Sequence, residues 1–320
     1  MAARELYHIG VDIIVYDSSD DARTESVVRN FQIDGLSNVI YDRWSGKWDG
    51  FSLDNKVIDA YKKYSRKYEY LWAHRDGLIV VPKYVNDIIK LLSNNLDMLI
   101  VNTSCRDVKN IGQKIYNKPA FLFKDQCMQM TVLGATIVRT DIIMDIINKI
   151  PLEKDVNYGM WQPIAFFQYF SNKSISAKSF VDDVWFGNPS AAKSSFWGKN
   201  TMLQWCDMWY DMITKLPSCY DKYKNDVLKV EMSDFHPYRV INLISLRANN
   251  GIDYSTVKKM ARKIKYVSDT KLKMFYFVSL LPKSCAKFIY NNRDGNIGKI
   301  LIALYYVIFG IVPGEKEILQ

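Results

Sequence analysis

Short apolar segments alternate with amphipathic segments along the first 150 residues. The β-branched run at residues 11–16 (VDIIVY) ends in a polar stretch, which is typical of a buried strand that enters a loop. Four further strands are predicted, at residues 39–41, 68–73, 97–102 and 131–138. Helices are predicted after Thr24 and at residues 53–67, 84–93 and 141–150. This alternation predicts an α/β fold with a mostly parallel sheet and helices on both faces.

The chain changes character in its second half. An aromatic-rich helix is predicted at residues 158–169, and from Pro237 onward most of the sequence has a helical pattern. In residues 255–267 the apolar positions lie on one helical face and Lys and Arg surround the rest. We therefore predict two domains: residues 1–215 with the sheet, and a helical, basic and amphipathic region at residues 216–320.

The charge is distributed unevenly. The net charge is +9, and residues 254–299 hold eleven Lys or Arg against two Asp, so this segment accounts for the whole excess. A neutral body with one basic end argues against nucleic acid as the partner and favours an anionic surface, such as the inner leaflet of a membrane. A helical bundle or a homo-oligomer interface with a solvated basic rim is the alternative.

Residue types exclude several functional classes. The chain contains no phosphate-binding G-x-x-x-x-G-K-[ST], no G-x-G-x-x-G, no G-x-S-x-G and no H-E-x-x-H. Its five cysteines form no C-x-x-C pair, which favours reduced thiols in a cytoplasmic protein. The longest apolar run, residues 300–312, is shorter than the roughly 20 residues that a membrane-spanning helix needs.

Acidic residues follow two of the predicted strands. Asp17 ends the first strand, and Asp76 follows the strand at residues 68–73. In open α/β sheets ligands bind beyond the carboxyl ends of the strands, where a carboxylate can accept from a base or a ribose and can hold Mg²⁺ or Mn²⁺. The competing interpretation is that each Asp only forms a turn or caps a helix.

The order of these motifs resembles a known family. The segment Val15-Tyr16-Asp17-Ser18-Ser19-Asp20-Asp21, with Thr24 and Glu25, resembles the V-D-D-G-S-x-D-x-T-x-E motif of the GT-A fold glycosyltransferases of inverting family 2. The segment from Lys67 to Asp76 is similar to the family's strand that ends in D-x-D, here His74-Arg75-Asp76.

The resemblance implies roles for individual residues. Asp17, with Ser18 beside it, would contact the uracil of a UDP-sugar, and Asp76 would hold Mn²⁺ or Mg²⁺ on the diphosphate. His74 would stand where the family binds the ribose, although a structural histidine is an equal alternative. Asp54 and Lys56 lie in the family's G-x-S-x-A-R-N region, which lines the nucleotide and diphosphate; the alternative for Lys56 is an ordinary helix-surface lysine.

The sequence also departs from the family pattern. Tyr16 replaces the first Asp, the opening strand with its P-x-Y-N loop is expected to be missing, and no E-D pair supplies a catalytic base. Asp155 is the nearest carboxylate to that position, with Asp182 and Asp183 as later candidates. A helix-capping role is the alternative for Asp155.

The segments around Trp197, Trp205 and Trp209 and the following L-P-x-x-Y-D-x-Y-K stretch resemble a subgroup that assembles bacterial surface glycans. The resemblance therefore implies an inverting hexosyltransferase that moves a sugar from a nucleotide-sugar to a glycan, lipid-linked or protein-linked acceptor. Such an enzyme would be cytoplasmic and peripheral on the cytoplasmic face of the membrane. The alternative is a catalytically inactive, glycosyltransferase-like partner in a glycan assembly complex.

Overall fold

The computed structural model describes residues 6, 9–46, 53–75, 77–103, 113–150, 160–187, 200–229, 237–293 and 295, without the side chains of residues 103, 181, 183 and 185–187. The chain divides into two compact units. The first comprises residues 1–194 and 216–223, and the second comprises residues 195–215 and 224–320. Residues 195–215, which we assigned to the sheet domain, therefore group with the helical region, and residues 216–223 group with the sheet.

The first unit opens with a parallel strand pair. Strand β1 (Ile13–Asp17) leads into helix α1 (Arg23–Ile33), and strand β2 (Val39–Arg43) returns beside β1. Val28, Leu36 and Val39 form a small core on which Ile13 and Val15 pack. The β-branched residues of β1 thus cover the helix that connects the two strands, as in other β-α-β units.

A six-stranded sheet forms the rest of the first unit. The strands are β3 (Tyr70–Trp72), β4 (Leu78–Val80), β5 (Met98–Thr103), β6 (Ile115–Tyr116), β7 (Thr136–Arg139) and β8 (Ala177–Gly187). The main strand order is β3-β7-β5-β8-β4, and the short strand β6 pairs with β8. In this sheet β5 and β8 are parallel, and the other pairs are antiparallel.

Five further helices belong to this unit, and the apolar core surrounds the middle of the sheet. Leu99 and Val101 of β5 are fully buried and pack with Ile88, Ile137 and Phe180. These residues come from strands and helices far apart in the chain, so the core forms only when the sheet assembles. The helices are α2 (Leu53–Tyr64), α3 (Val85–Leu92), α4 (Pro119–Gln126), α5 (Thr140–Lys149) and α6 (Trp161–Tyr169).

The α/β class predicted from the sequence is confirmed. Of the strand pairs in the described residues, β1–β2 and β5–β8 are parallel and the other four are antiparallel, and several strand assignments differ from the prediction. The strand predicted at residues 131–138 begins only at Thr136, because a 3₁₀ turn occupies Gln129–Thr131 and Gly134 has a φ of 106°. Strands β4 and β6 were not predicted, and neither was β8. Its pairing with β5 shifts register between Val101 and Asn102, where the polar Asp182 is accommodated by an irregularity of the strand.

The described part of the second unit is helical, as the sequence predicts from Pro237 onward. It contains a π-helical segment (Leu203–Met208) and helix α7 (Trp209–Lys215), and helix α8 (Asp221–Leu228) spans the division between the units. Among the described helices, none has the length and apolar character to cross a membrane. The remaining helices are α9 (Val240–Ala248), α10 (Tyr254–Val267), α11 (Leu272–Leu280) and α12 (Lys283–Asn291).

The position of Leu99 generates a test of the core. Leu99 is 0% exposed on the central strand, so Leu99→Ala should lower the free energy of unfolding by about 2–5 kcal/mol in urea titrations. Ile115→Ala serves as the control, since Ile115 is 75% exposed and its truncation should cost less than about 0.5 kcal/mol. Equal effects of the two substitutions would contradict the assignment of β5 to the core.

Candidate functional site

The carboxylate of Asp17 organises the loop that follows β1. Asp17 is only 7% exposed. Its Oδ1 accepts hydrogen bonds from the backbone N–H of Ser19 at 2.9 Å and from the Ser19 hydroxyl at 2.7 Å. Its Oδ2 accepts from the Tyr41 hydroxyl and from Nη1 of Arg43, both at 3.0 Å. The side chain that was predicted to face a ligand thus also fixes the turn and ties β1 to β2.

These contacts determine the charge of Asp17. Burial alone would raise its pKa, but the hydrogen bonds from Ser19 and Tyr41 and the positive charge of Arg43 outweigh burial and lower the pKa below its usual value. Arg43 also donates to the backbone carbonyl of Ser19. Asp17 therefore stays ionised at neutral pH, with a cation beside it.

Lys56 and Ser18 meet at the same strand end. Nζ of Lys56 donates to the Ser18 hydroxyl at 2.9 Å, although 38 residues separate them in the chain. Lys56 lies in the first turns of α2, and the buried Asp54 lies in the first turn of the same helix. The structure therefore places the predicted Asp17 loop and the predicted Lys56 segment side by side, with a lysine ammonium at the carboxyl end of β1.

Tyr16, which stands in place of the family's first Asp, belongs to a cluster that the sequence did not predict. Its hydroxyl donates to Asp59, and its ring meets that of Tyr64 edge to face with centroids 6.2 Å apart. Tyr64 in turn donates to Asp42 on β2. Burial and the Asp59 carboxylate raise the pKa of Tyr16, so the phenol stays protonated and anchors α2 to β1.

His74 is packed beside β3. Its ring lies 4.5 Å from that of Trp72 in an edge-to-face arrangement, and Nε1 of Trp72 donates to the carbonyl of Gly134 at 2.7 Å. A Cβ on Gly134 would come within 3.1 Å of the His74 ring. Burial, with a further contribution from Arg75, lowers the pKa of His74 to about 4. The imidazole is therefore neutral at physiological pH.

The remaining predicted residues are either outside the described part of the chain or on β8. Asp76, the predicted metal ligand, and Asp155, the predicted base, lie outside the described residues. Asp182 is exposed on β8, and the side chain of Asp183 is not described. Within the described residues, no group of three or more His, Cys, Asp or Glu side chains could hold a metal ion. A metal on a single protein carboxylate would therefore need oxygen ligands from a substrate and from water.

A groove opens beside the Asp17 loop. It has a volume of about 500 Å³ and an apolar floor formed by β1, β2 and α1, including Ile13, Val15 and Phe31. Ser19, Asp21 and Thr24 contribute polar groups at the loop. This groove was not predicted from the sequence. Its signal was the pair Val27 and Phe31, which lie four residues apart on one face of α1 and are exposed in the structure.

Comparison with solved structures shows a likeness, whereas comparison of the sequence shows none. No known protein family matches the chain, and no curated protein matches it. The chain is similar to the crystal structure of residues 1–349 of TarS from S. aureus in complex with UDP-GlcNAc. Identity is 10%, the alignment covers 88% of this chain and 82% of that chain, and the TM-score is 0.49.

The environment of Asp17 generates a pH prediction. Asp17→Asn should lower the free energy of unfolding at pH 7 by about 2 kcal/mol, since it weakens charge-assisted hydrogen bonds. The pKa of Asp17 is lower in the folded state than in the unfolded state, where it is near 3.9. The ionised carboxylate therefore stabilises the fold at pH values above 3.9, and this contribution is lost as the pH falls through the folded-state pKa. The difference between the two proteins, measured by urea unfolding, should therefore shrink at pH 3. Asp20→Asn in the same exposed loop is the control, and an equal loss in both variants would contradict the assignment.

His74 generates a second pH prediction with a different window. A folded pKa of about 4 lies below the unfolded value near 6.5, so burial of the neutral ring costs progressively more as the pH falls from 6.5 to 4. His74→Gln should remove this cost, and its stability relative to wild type should rise by up to about 3 kcal/mol between pH 7 and pH 4. A constant difference across that range in urea unfolding would show that His74 is solvated.

Proposed function

We propose that this protein is a glycosyltransferase that uses a nucleotide-sugar, most simply a UDP-sugar, with Mn²⁺ or Mg²⁺. The acceptor would be a glycan, a lipid-linked or a protein-linked hydroxyl in bacterial surface glycan synthesis. One observation carries the proposal: Lys56 donates to Ser18, which joins two separate family-like segments at the carboxyl end of β1.

That strand end has the chemistry that a nucleoside diphosphate needs. Ligands of open α/β sheets bind beyond the carboxyl ends of parallel strands, and β1 and β2 are a parallel pair. Lys56 supplies a positive charge and an ammonium donor group where a diphosphate would lie. The apolar floor of the neighbouring groove suits the face of a base, and Ser19 and Thr24 offer polar groups to its edge.

Asp17 and His74 would bind different parts of the nucleotide. Asp17 would accept from the imide of the base in place of one of its present donors on Ser19, Tyr41 or Arg43, and its fixed ionisation would favour a donor group over an acceptor. His74, neutral at physiological pH, would contribute an imidazole nitrogen to a ribose hydroxyl. Neither role requires a change in the protonation of the protein.

The transfer step rests on the two residues outside the described part. Asp76 would hold the divalent cation, which would neutralise charge on the departing diphosphate. Asp155 would take the proton of the acceptor hydroxyl. The hydroxyl oxygen would then form the bond to the anomeric carbon of the sugar, while the bond between that carbon and the diphosphate oxygen breaks. An inverting outcome is the default that the family resemblance implies.

Lys56 provides a test of the diphosphate assignment. Lys56→Ala should weaken UDP binding at least about tenfold, because a charge-assisted contact is lost, yet leave uridine binding nearly unchanged. Isothermal titration with UDP and with uridine measures both. Lys62→Ala, on the exposed face of the same helix, is the matched control. Equal loss of UDP and uridine affinity would contradict a diphosphate contact.

Asp76 provides a test of the metal assignment. UDP with Mn²⁺ should raise the melting temperature of the wild type more than UDP with EDTA, since a ligand that binds the native state stabilises it. In Asp76→Ala the Mn²⁺-dependent part of that shift should disappear, while the EDTA value stays the same. A Mn²⁺-dependent shift that survives in the variant would contradict Asp76 as the ligand.

A second candidate is a non-catalytic, glycosyltransferase-like binding partner in a glycan assembly complex. The observation that favours it is the engagement of both Asp17 oxygens by Ser19, Tyr41 and Arg43, which also gives Asp17 a structural task. Release of UDP from a UDP-sugar, with an acceptor or with water, separates the two candidates. Sustained release excludes the non-catalytic candidate, and its absence despite UDP binding favours it.

A further inference from the structure

Helices α10 and α11 each bury one face within the second unit. α10 buries Val257, Met260, Ile264 and Val267, whose spacing of three and four residues is that of one helical face. α11 buries Met274, Phe275 and Val278. The residues on the other faces of the two helices include exposed ones, which a partner could reach.

The outer face of α10 is basic. Lys258, Arg262 and Lys265 are exposed and follow one another at intervals of four and three residues, which places them in one stripe. Tyr254, 48% exposed, lies one turn before Lys258. The stripe therefore combines three cations with an amphipathic ring at its start.

The outer face of α11 adds apolar groups. Lys273, Phe277 and Leu280 are exposed at intervals of four and three residues, and Leu280 is 64% exposed. The ring of Tyr276 contacts that of Tyr254, with centroids 5.6 Å apart, so the two outer faces meet. We call Lys258, Arg262, Lys265, Lys273, Phe277 and Leu280 the lysine–aromatic surface. α12 also carries exposed basic and aromatic residues: Lys283, Lys287 and Phe288.

The acidic residues near α10 that the structure describes are engaged elsewhere. Asp253 caps α10 by accepting from the backbone N–H of Thr256 at 2.8 Å, and Asp269 accepts from Lys229. Lys263, which faces the other way, pairs with Asp207 at 2.5 Å and with Asp211 at 2.6 Å. In the described part of the chain, no ion pair neutralises Lys258, Arg262 or Lys265. The positive charge of these three residues is therefore presented to solvent.

We propose that the lysine–aromatic surface docks on a membrane that contains anionic lipid. Lysine stems lie along apolar surface while their ammonium groups reach phosphate, and Phe277 and Leu280 can enter the boundary between headgroups and acyl chains. Neither the charge nor the apolar side chains are sufficient alone. A small number of exposed apolar side chains binds a membrane only weakly, and surface charge is screened by salt. This inference goes beyond the proposed glycosyltransferase function and does not depend on it.

Flotation of the full chain with lipid vesicles tests the proposal. The wild type should bind vesicles of phosphatidylcholine with 30% phosphatidylglycerol and should not bind pure phosphatidylcholine, and the binding should weaken in 0.5 M NaCl. Lys258→Glu/Arg262→Glu/Lys265→Glu should reduce binding about 100-fold, at roughly fivefold for each basic residue. Phe277→Ser/Leu280→Ser should reduce binding at least tenfold without changing the charge.

Two matched variants control for net charge and for folding. Lys62→Glu/Lys90→Glu/Lys118→Glu makes the same charge change on exposed sites of the first unit and should bind like the wild type. Lys258→Arg/Lys265→Arg keeps the charge and should also retain binding. Equal binding to neutral and anionic vesicles, or equal loss in both triple variants, would overturn the proposal. Tighter binding to a DNA or RNA duplex than to the anionic vesicles would overturn it in favour of a nucleic-acid partner.

Discussion

The buried carboxylate of Asp17 is the constraint on which the candidate site depends. A buried charge must be paired and hydrogen-bonded, and Ser19, Tyr41 and Arg43 meet this need for Asp17. These three partners come from the loop and from β2, so satisfying one carboxylate fixes the turn after β1 and the register of the strand pair. The Ser18 hydroxyl is then held where Lys56 of α2 can reach it.

The two units carry their charged groups in different arrangements. The described sheet unit positions single charged groups, such as Asp17 and Lys56, against specific partners at a strand end. The described part of the second unit instead carries Lys258, Arg262 and Lys265, which no ion pair neutralises, and exposed apolar side chains on the next helix. The first arrangement suits the recognition of one small anion, and the second suits an extended anionic surface.

Much of the fold could be predicted because its local patterns agree with its long-range pairing. The β-branched run before Asp17 forms β1, and the apolar face of residues 255–267 forms the buried side of α10. Strand β8 could not be predicted, because Asp182 and Asp183 interrupt its apolar pattern and the strand is held by its pairing with β5. Its stability comes from contacts about 80 residues away in the chain, which no local pattern records.

The residues of the candidate site could be predicted from the sequence better than the contacts between them. Asp17, Ser18 and Lys56 were candidates from the family resemblance, but the bond between Ser18 and Lys56 depends on how α2 packs beside β1. Arg43 was missed, although it stands opposite Asp17 in the parallel register of β1 and β2. The cluster of Tyr16, Asp59 and Tyr64 was missed because its residues are spread over 49 positions of the chain.

The measurement that tests the central claim most directly is a co-crystal structure of the chain with UDP and Mn²⁺. The account predicts the diphosphate against Lys56 and Ser18, the uracil beside Asp17, and Mn²⁺ between Asp76 and the diphosphate oxygens. UDP bound at any other place, or no UDP at saturating concentration, would contradict it.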